Sequence, residues 1–238
     1  IPLDKIVSCA TRKSRVPQMK KLGLIGGTGP KTTSDYYLGL VERAQKRMPH
    51  GHIPCMTIER IDCGEVFDAL AKPTLVDLTK IVTQASQKAL AAGADFIAFA
   101  GFSAHLVLPA VRANLPGVHF ADIMTASVNY AVNQGFKRVG VFGNEQVMSS
   151  DTLFVPFLQS GISVVPPDKA LRARMGDISR TEIEFGIKNK DSQAYFIEVA
   201  KTMVQTSSIE AILLANTDLP AYLADVNLGI EVMDTVSL

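Results

Sequence analysis

Two short polar segments follow predicted buried strands and contain the side chains best suited to chemistry. They are AGFSAH at 100–105 and NTDLP at 216–220. In the first, Ser103 and His105 are two positions apart on one turn and need not touch, and no G-x-S-x-G turn surrounds the serine. Ser103 could therefore cap a helix, and His105 could be a hydrogen-bonded histidine of the core.

The second segment offers an amide, a hydroxyl and a carboxylate in Asn216, Thr217 and Asp218. A neutral amide does not titrate near pH 7, but it can donate hydrogen bonds to a carboxylate or a developing enolate. Thr217 or Asp218 could instead cap the next helix. For proton transfer, His105 has the most suitable intrinsic pKa, whereas Asp218 would need a pKa raised by burial. The candidate catalytic residues are His105, Asp218 and Thr217.

A glycine-rich segment, GGTGP at 26–30, follows the first predicted strand and precedes a helix that we expect to begin near Thr32 or Thr33. Glycines allow a tight turn and let backbone N–H groups approach an anion at a helix N-terminus. The segment is neither G-x-G-x-x-G nor a phosphate-binding P-loop. It could be a purely structural turn or a contact for a carboxylate or phosphate, in which Thr28 and Gly29 would take part.

Other polar positions are weaker candidates. Arg60 and Asp62 lie at the end of the second predicted strand, and Asn144 and Glu145 lie in GNEQ at 143–146. The charged stretch EFGIKNKD at 184–191 is most simply a solvated helix end. The four histidines are scattered and do not form a metal-ligand set, so we predict no metal site.

Short apolar runs alternate with longer helical patterns from Lys20 onward, which predicts an α/β fold with parallel sheets covered on both faces. The predicted strands are 22–26, 55–61, 95–100, 118–123, 138–143, 162–167, 211–215 and 230–234. The predicted helices include 32–48, 74–92, 124–134, 147–160, 180–188 and 192–206.

The pattern is doubled along the chain. LGLIG at 22–26 matches VGVFG at 139–143, and ADFIAFAGF at 94–102 matches IEAILLANT at 209–217. This echo predicts two similar doubly wound domains related by a pseudo-two-fold axis, with an active-site cleft between them. We assign residues 1–18 to an N-terminal extension, 19–117 plus 212–238 to the first domain and 118–211 to the second. The basic residues 1–18 could be a simple extension or a functional arm.

The composition excludes several classes of protein. The 238 residues are 47% hydrophobic and 20% charged, with a net charge of +1, which gives no electrostatic case for binding nucleic acid or an anionic membrane surface. No apolar run approaches the roughly 18 residues of a spanning helix. Three cysteines without C-x-x-C spacing imply neither a disulfide framework nor a zinc site, which favours a cytoplasmic location.

Several motifs together resemble the aspartate/glutamate racemase superfamily. GLIGGTGPKTTSDYY at 23–37 resembles the superfamily's opening GGMGP-x-A-T-x-x-Y-Y. GADFIAFAGFSAH stands where the family has P-C-N-T-A-H, LLANTDLP where it has G-C-T-E-L-P, and the closing VMDT also matches. The resemblance runs from Met19 over essentially the whole remaining chain.

The resemblance implies two similar α/β domains that hold a small amino or carboxylic acid, without a cofactor and often as a homodimer. It also implies catalysis by two cysteines on opposite faces of the substrate Cα, one removing a proton as thiolate and the other returning one. The substrate-binding residues that we expect are Thr28, Gly29, Phe102, Ser103, Ala104, Asn216, Arg60 and Asn144.

This chain departs from the family at the reacting positions. Gly101 stands where the first cysteine belongs and Asn216 stands at the second. GNEQV lacks a Gly-Thr that receives the substrate carboxylate in relatives, and Glu184 occupies a place where many relatives carry lysine. Loss of that cation would weaken binding of a dicarboxylate through its distal acid.

Two hypotheses follow. In the first, the chain is an isomerase of the racemase type, or a related lyase, with altered proton transfer. Asn216, Thr217 and backbone N–H groups near Gly29 and Ser103 would hold the acid, and His105 or Asp218 would move the proton. In the second, it is a binding protein that keeps the fold and has lost catalysis.

Overall fold

The computed structural model describes residues 20–47 and 53–237, so the predicted N-terminal extension at 1–18 lies outside the described residues. The chain divides into two compact units, the first ending at Asp122 and the second beginning at Ile123.

The first unit is built on a parallel sheet, which in the described residues has four strands in the order β2-β1-β3-β4. The central strands β1 and β3 are buried along their whole length, because helices cover both faces of the sheet. The strands are β1 (Leu22–Gly26), β2 (Met56–Arg60), β3 (Phe96–Phe99) and β4 (Phe120–Ala121). The helices are α1 (Pro30–Arg47), α2 (Cys63–Leu70), α3 (Val76–Ala91) and α4 (Leu108–Asn114), with a 3-10 helix at Phe102–Val107.

The second unit repeats this plan, with four parallel strands in the order β6-β5-β7-β8 among its described residues. The strands are β5 (Arg138–Gly143), β6 (Ser163–Val165), β7 (Ala211–Ala215) and β8 (Glu231–Asp234). The helices are α5 (Ile123–Gln134), α6 (Glu145–Met148), α7 (Val155–Gln159), α8 (Lys169–Thr181), α9 (Lys190–Ser207) and α10 (Leu219–Tyr222), with a 3-10 turn at Ile183–Phe185.

The doubled sequence pattern corresponds to equivalent places in the two sheets. LGLIG forms β1 and VGVFG lies in β5, each the second strand of its sheet. The matching later runs form β3 and β7, each the third strand. Gly101 and Asn216 therefore follow equivalent strands, and the predicted α/β class with parallel sheets is confirmed.

The predicted domain boundaries are wrong in two places. Residues 212–238 were assigned to the first domain, but β7 pairs with β5 from Val139↔Ala211 to Gly143↔Ala215, and β8 pairs with β7. Both strands thus belong to the second sheet. Residues 118–122 were assigned to the second domain, but β4 pairs with β3 in the first. The backbone hydrogen bonds of each sheet decide these assignments.

Two predicted helices also differ from the structure. The helix predicted over 147–160 is two short helices, α6 and α7, separated by turns. The helix predicted over 180–188 is mostly absent, because α8 ends at Thr181 and Gly186 adopts a left-handed φ of 68° that closes the 3-10 turn. None of the helices in the described ranges is both long and apolar enough to span a membrane.

Candidate functional site

The GGTGP loop after β1 is a tight turn that α1 stabilises. Gly27 has a φ of 105°, and a Cβ there would lie 2.5 Å from the Ile61 carbonyl oxygen, so only glycine fits. Thr33 Oγ1 accepts a hydrogen bond from Gly27 N at 2.9 Å and donates one to Gly29 O at 2.9 Å. These contacts give the loop a structural role, and substrate contacts by Thr28 and Gly29 stay a prediction.

The end of β3 lies against this loop. A Cβ on Gly101 would be 2.8 Å from Thr28 Oγ1, so the predicted site residues Gly101 and Thr28 are neighbours within the first unit. Gly101 is also the N-cap position of the 3-10 helix, which has no side-chain cap, so the interpretation of Ser103 as the cap is wrong. Phe102 is buried, and Ala104 packs against the hydrophobic core.

His105 lies in the core of the first unit, with only 3% of its surface exposed. Its ring centroid is 5.2 Å from that of Phe99 and 5.7 Å from that of Phe102. Burial lowers its pKa, and the charge of Asp122 and backbone hydrogen bonds at Gly101 and Phe102 oppose this only in part. The imidazole is therefore neutral near pH 7, in an aromatic environment.

Arg60 is at the end of β2, where its side chain is exposed and pairs with Asp62 at 3.1 Å. Asp62 caps α2 by accepting hydrogen bonds from Gly64 N at 2.9 Å and Glu65 N at 3.3 Å. The hydrogen bond from Glu65 N is the main reason that the pKa of Asp62 is lowered. A capping carboxylate with a lowered pKa is a poor base, so Asp62 is not suited to proton transfer.

Asn144 plays the same capping part in the second unit. Its Oδ1 accepts a hydrogen bond from Val147 N at 2.9 Å and so caps α6. Glu145 follows in the first turn of α6. A Cβ added to Gly176 of α8 would lie 3.0 Å from the Glu145 Cβ.

The end of β7 holds a buried polar group centred on Asn216, which is 6% exposed. Asn216 Nδ2 donates to Ser179 Oγ at 2.8 Å and to Glu184 Oε1 at 3.1 Å, and its Oδ1 accepts from Asp218 N at 2.8 Å. Asp218 occupies the N-cap position of α10 but makes no side-chain cap bond, so the predicted capping by Thr217 or Asp218 is wrong. The amide of Asn216 closes this turn instead, and Thr217 is buried beside it.

Glu184 is the functional candidate that the sequence analysis did not select. It lies in the 3-10 turn at Ile183–Phe185, so the expectation of a solvated stretch over 184–191 is wrong at this position. Burial is the main cause that raises its pKa to about 8, and the charge of Asp218 and a hydrogen bond with that carboxylate raise it further. The hydrogen bond from Asn216 acts in the opposite direction. The one sequence signal was that relatives carry lysine at this place.

This arrangement can carry a proton near neutral pH. At pH 7 the Glu184 carboxyl is mostly protonated and can donate to Asp218, and near pH 8 about half of it is ionised. A carboxyl with this pKa can act as a general acid or a general base. In the parts of the chain that the structure describes, no cluster of three or more His, Cys, Asp or Glu residues is arranged to hold a metal ion.

The two cysteines in the described ranges do not form a catalytic pair. Cys55 directly precedes β2 and Cys63 follows it as the first residue of α2. The strand between them is Met56–Arg60, and at about 3.3 Å per residue it keeps the two thiols well over 10 Å apart. Two-thiol racemisation has no agent among these residues.

Comparison with known proteins identifies relatives over nearly the whole chain. The model of the Asp/Glu/Hydantoin racemase family matches residues 25–238. An aspartate racemase homologue from Pyrococcus horikoshii OT3 is 27% identical, with a TM-score of 0.72 over 92% of this chain and 94% of its own. A candidate Asp/Glu racemase from Yersinia pestis is 23% identical, with a TM-score of 0.78 over 92% and 95%. The aspartate racemase of Picrophilus torridus is 18% identical, with a TM-score of 0.68 over 91% and 89%. The last two likenesses concern the fold.

Proposed function

The chain belongs to the Asp/Glu/hydantoin racemase family, and we propose that it moves a proton at the carbon beside the carboxylate of a small amino or carboxylic acid. The observation that carries this proposal is the carboxyl of Glu184, which accepts a hydrogen bond from the amide of Asn216 at 3.1 Å. The resemblance placed cysteines at Gly101 and Asn216, and neither residue present there can ionise. The proton must therefore be moved by another group.

Glu184 is the group best suited to that role. Its pKa of about 8 is close to the pH at which an enzyme in neutral solution works, so it can both take up and return a proton. Burial, together with the negative charge of Asp218, raises the pKa of Glu184 and so keeps it protonated at lower pH. Asn216 has both its donor and acceptor atoms bonded within the protein, so we assign it to positioning Glu184.

The other predicted site residues differ in the roles that their surroundings allow. Thr28, Gly29 and the backbone near Ser103 stay our candidates for holding the substrate carboxylate, because Thr28 and Gly101 are adjacent. His105 is neutral and packed between aromatic rings, which makes it a weaker choice for proton transfer than Glu184. A homodimer and a cytoplasmic location stay predictions.

The same carboxyl pair indicates the substrate class. A distal carboxylate near Glu184 and Asp218 would meet the negative charge of Asp218, and Glu184 stands where the resemblance places a lysine in many relatives, which disfavours aspartate and glutamate as substrates. We expect an amino or hydroxy acid with a neutral side chain, so asparagine and glutamine are the matched comparisons for the two dicarboxylates.

Exchange of the α-hydrogen with deuterated water tests the proposal. The native protein is incubated with a panel of amino and hydroxy acids, and deuterium at Cα is measured by NMR or mass spectrometry. We expect exchange on neutral members of the panel, and a loss of about 100-fold or more in Glu184→Gln, as for removal of a general acid–base group. Glu198→Gln, an exposed carboxylate on α9, is the control and should retain activity. Absence of exchange on every compound would reject the proposal.

A second function, binding without catalysis, is favoured by one observation. The amide at the second cysteine position is saturated by Ser179, Glu184 and Asp218, as in a site maintained for structure. This function predicts thermal stabilisation by a small acid without exchange. At a ligand concentration of 100 times Kd the stabilisation should be about 2.7 kcal/mol.

A further inference from the structure

A cavity of about 350 Å³ lies wholly within the second unit, beside the edge strand β6. It is bounded by the turn after α6, by α7, by β6 and by Arg172 of α8. None of its lining residues belongs to the group around Asn216, so it is separate from the candidate site above. The volume is within the range of about 300–1,000 Å³ that is usual for small-molecule sites.

The wall of the cavity combines apolar side chains, serine hydroxyls and one cation. Met148, Phe154, Leu158 and Val164 supply apolar surface, and Arg172 supplies the positive charge. A cavity with apolar side chains beside a cation is suited to a small amphipathic molecule. The charge makes an anion the complementary ligand.

Arg172 has bonding capacity that the protein does not use. Its Nη1 donates to the Pro167 carbonyl oxygen at 3.1 Å, which anchors the side chain. Its Nε is buried, and in the described residues it has no hydrogen-bond acceptor, nor does a carboxylate there pair with the guanidinium. A buried donor without an acceptor is unfavourable and is normally satisfied by a partner. Because Arg172 lines the cavity, a carboxylate there can accept hydrogen bonds from the guanidinium.

We propose that this cavity binds a small monocarboxylate with an apolar body, its carboxylate on Arg172 and its body against the side chains of α7 and β6. Asp151, exposed at the rim, is the one other ionisable side chain in the lining. Its negative charge disfavours a ligand with a second carboxylate, so the site selects monoanions. The apolar lining side chains favour an acid with an apolar body over a small hydrophilic one.

Calorimetry with hexanoate and phenylacetate tests the proposal on the native protein. Each is compared with its uncharged amide and with succinate. We expect the monocarboxylates to bind at least about tenfold more tightly than the amides, as for one charge-assisted pair. Succinate should bind more weakly than hexanoate. No binding of either monocarboxylate at millimolar concentration, or equal binding of acid and amide, overturns the proposal.

Two pairs of variants locate the binding. Arg172→Gln should weaken phenylacetate binding about tenfold or more, whereas Arg180→Gln, on the same helix but outside the lining, should leave it unchanged. Leu158 is 69% exposed, so Leu158→Glu should fold and should weaken binding about fivefold by charge repulsion. Leu158→Gln is its neutral control, because it loses the same apolar contact without adding a charge, and it should bind more tightly than Leu158→Glu. If Arg172→Gln does not fold, the comparison of the two Leu158 variants tests whether the ligand binds in this cavity.

Three outcomes of the variant series contradict the proposal. Equal losses in Arg172→Gln and Arg180→Gln would show a general charge effect, and equal binding by the two Leu158 variants would place the ligand elsewhere. If phenylacetate dissociates a self-associated form of the protein in ultracentrifugation, the cavity is filled by a second copy of the chain.

Discussion

Replacing Glu184 by glutamine should change how the stability of the protein depends on pH. In the folded state the pKa of Glu184 is raised from 4.5 to about 8, mainly by burial and by the charge of Asp218. Between these pH values the folded protein holds a proton that the unfolded chain has released. Stability therefore falls as pH rises through this window, and the destabilisation is complete above the folded pKa.

The magnitude follows from linkage. Each pKa unit corresponds to about 1.4 kcal/mol, so a pKa raised from 4.5 to about 8 corresponds to on the order of 5 kcal/mol across the whole window. Well inside the window the slope for one proton is about 1.4 kcal/mol per pH unit. Glutamine keeps a donor toward Asp218 but cannot ionise. Relative to the native protein, Glu184→Gln should therefore gain about 3 kcal/mol between about pH 5.5 and about pH 7.5.

Urea unfolding at several pH values measures this difference. The native protein, Glu184→Gln and the control Glu198→Gln are compared, so that contributions from thiols and other shared groups cancel. We expect Glu198→Gln to parallel the native protein and Glu184→Gln to diverge from it as pH rises. If Glu184→Gln stays parallel to the native curve, Glu184 is not a buried acid with a raised pKa, and its proposed part in proton transfer is refuted.

Two further predictions concern the first unit. Since burial lowers the pKa of His105, the unfolded chain binds a proton that the folded protein does not, and stability should fall as pH drops below about 6.5. His105→Gln should flatten this loss in thermal unfolding, whereas His119→Gln, at an exposed position, should not. Gly27→Ala should cost about 2 kcal/mol or more because of its positive φ and the close Ile61 carbonyl, whereas Gly39→Ala, with open space inside α1, should stabilise by about 0.5–1 kcal/mol in denaturant titrations.

Specific results would contradict these two predictions. If His105→Gln loses stability at acid pH as much as the native protein does, the imidazole is charged in the folded protein at that pH. Equal effects of alanine at Gly27 and Gly39 would mean that the GGTGP loop does not require the left-handed conformation.

The best predicted elements are those whose signal is local and strong. β1 at Leu22–Gly26 and β7 at Ala211–Ala215 were predicted with their observed bounds, since a continuous apolar run between polar segments is sufficient to define a central strand. The edge strand β4 was predicted over 118–123 but is only Phe120–Ala121, because pairing with β3 decides its length. α8 was missed because its buried positions, Met175, Ile178 and Ser179, are few among charged residues.

The candidate site was predicted in part for the same reason. Asn216 and Asp218 stand directly after a recognisable strand, and their polarity at that place marks them. Glu184 is 32 positions from Asn216, in a stretch that has every local sign of a solvated turn. Glu184 matters because it contacts Asn216 and Asp218. No local sequence pattern predicts these two contacts.

By itself, the sequence determined the α/β class, the doubled order of elements and the family, and it predicted that Gly101 and Asn216 replace the family cysteines. These depend on periodicity, turn chemistry and residue identity, all of which act within short stretches of chain. Only the tertiary structure decided that β7 and β8 belong to the second sheet, that Glu184 is the ionisable partner of Asn216, and that Arg172 faces a cavity. Sheet pairing, shifted pKa values and cavities all arise where segments that are distant in the sequence meet in the folded protein. Hydrogen bonding and solvation at such places depend on neighbours in space.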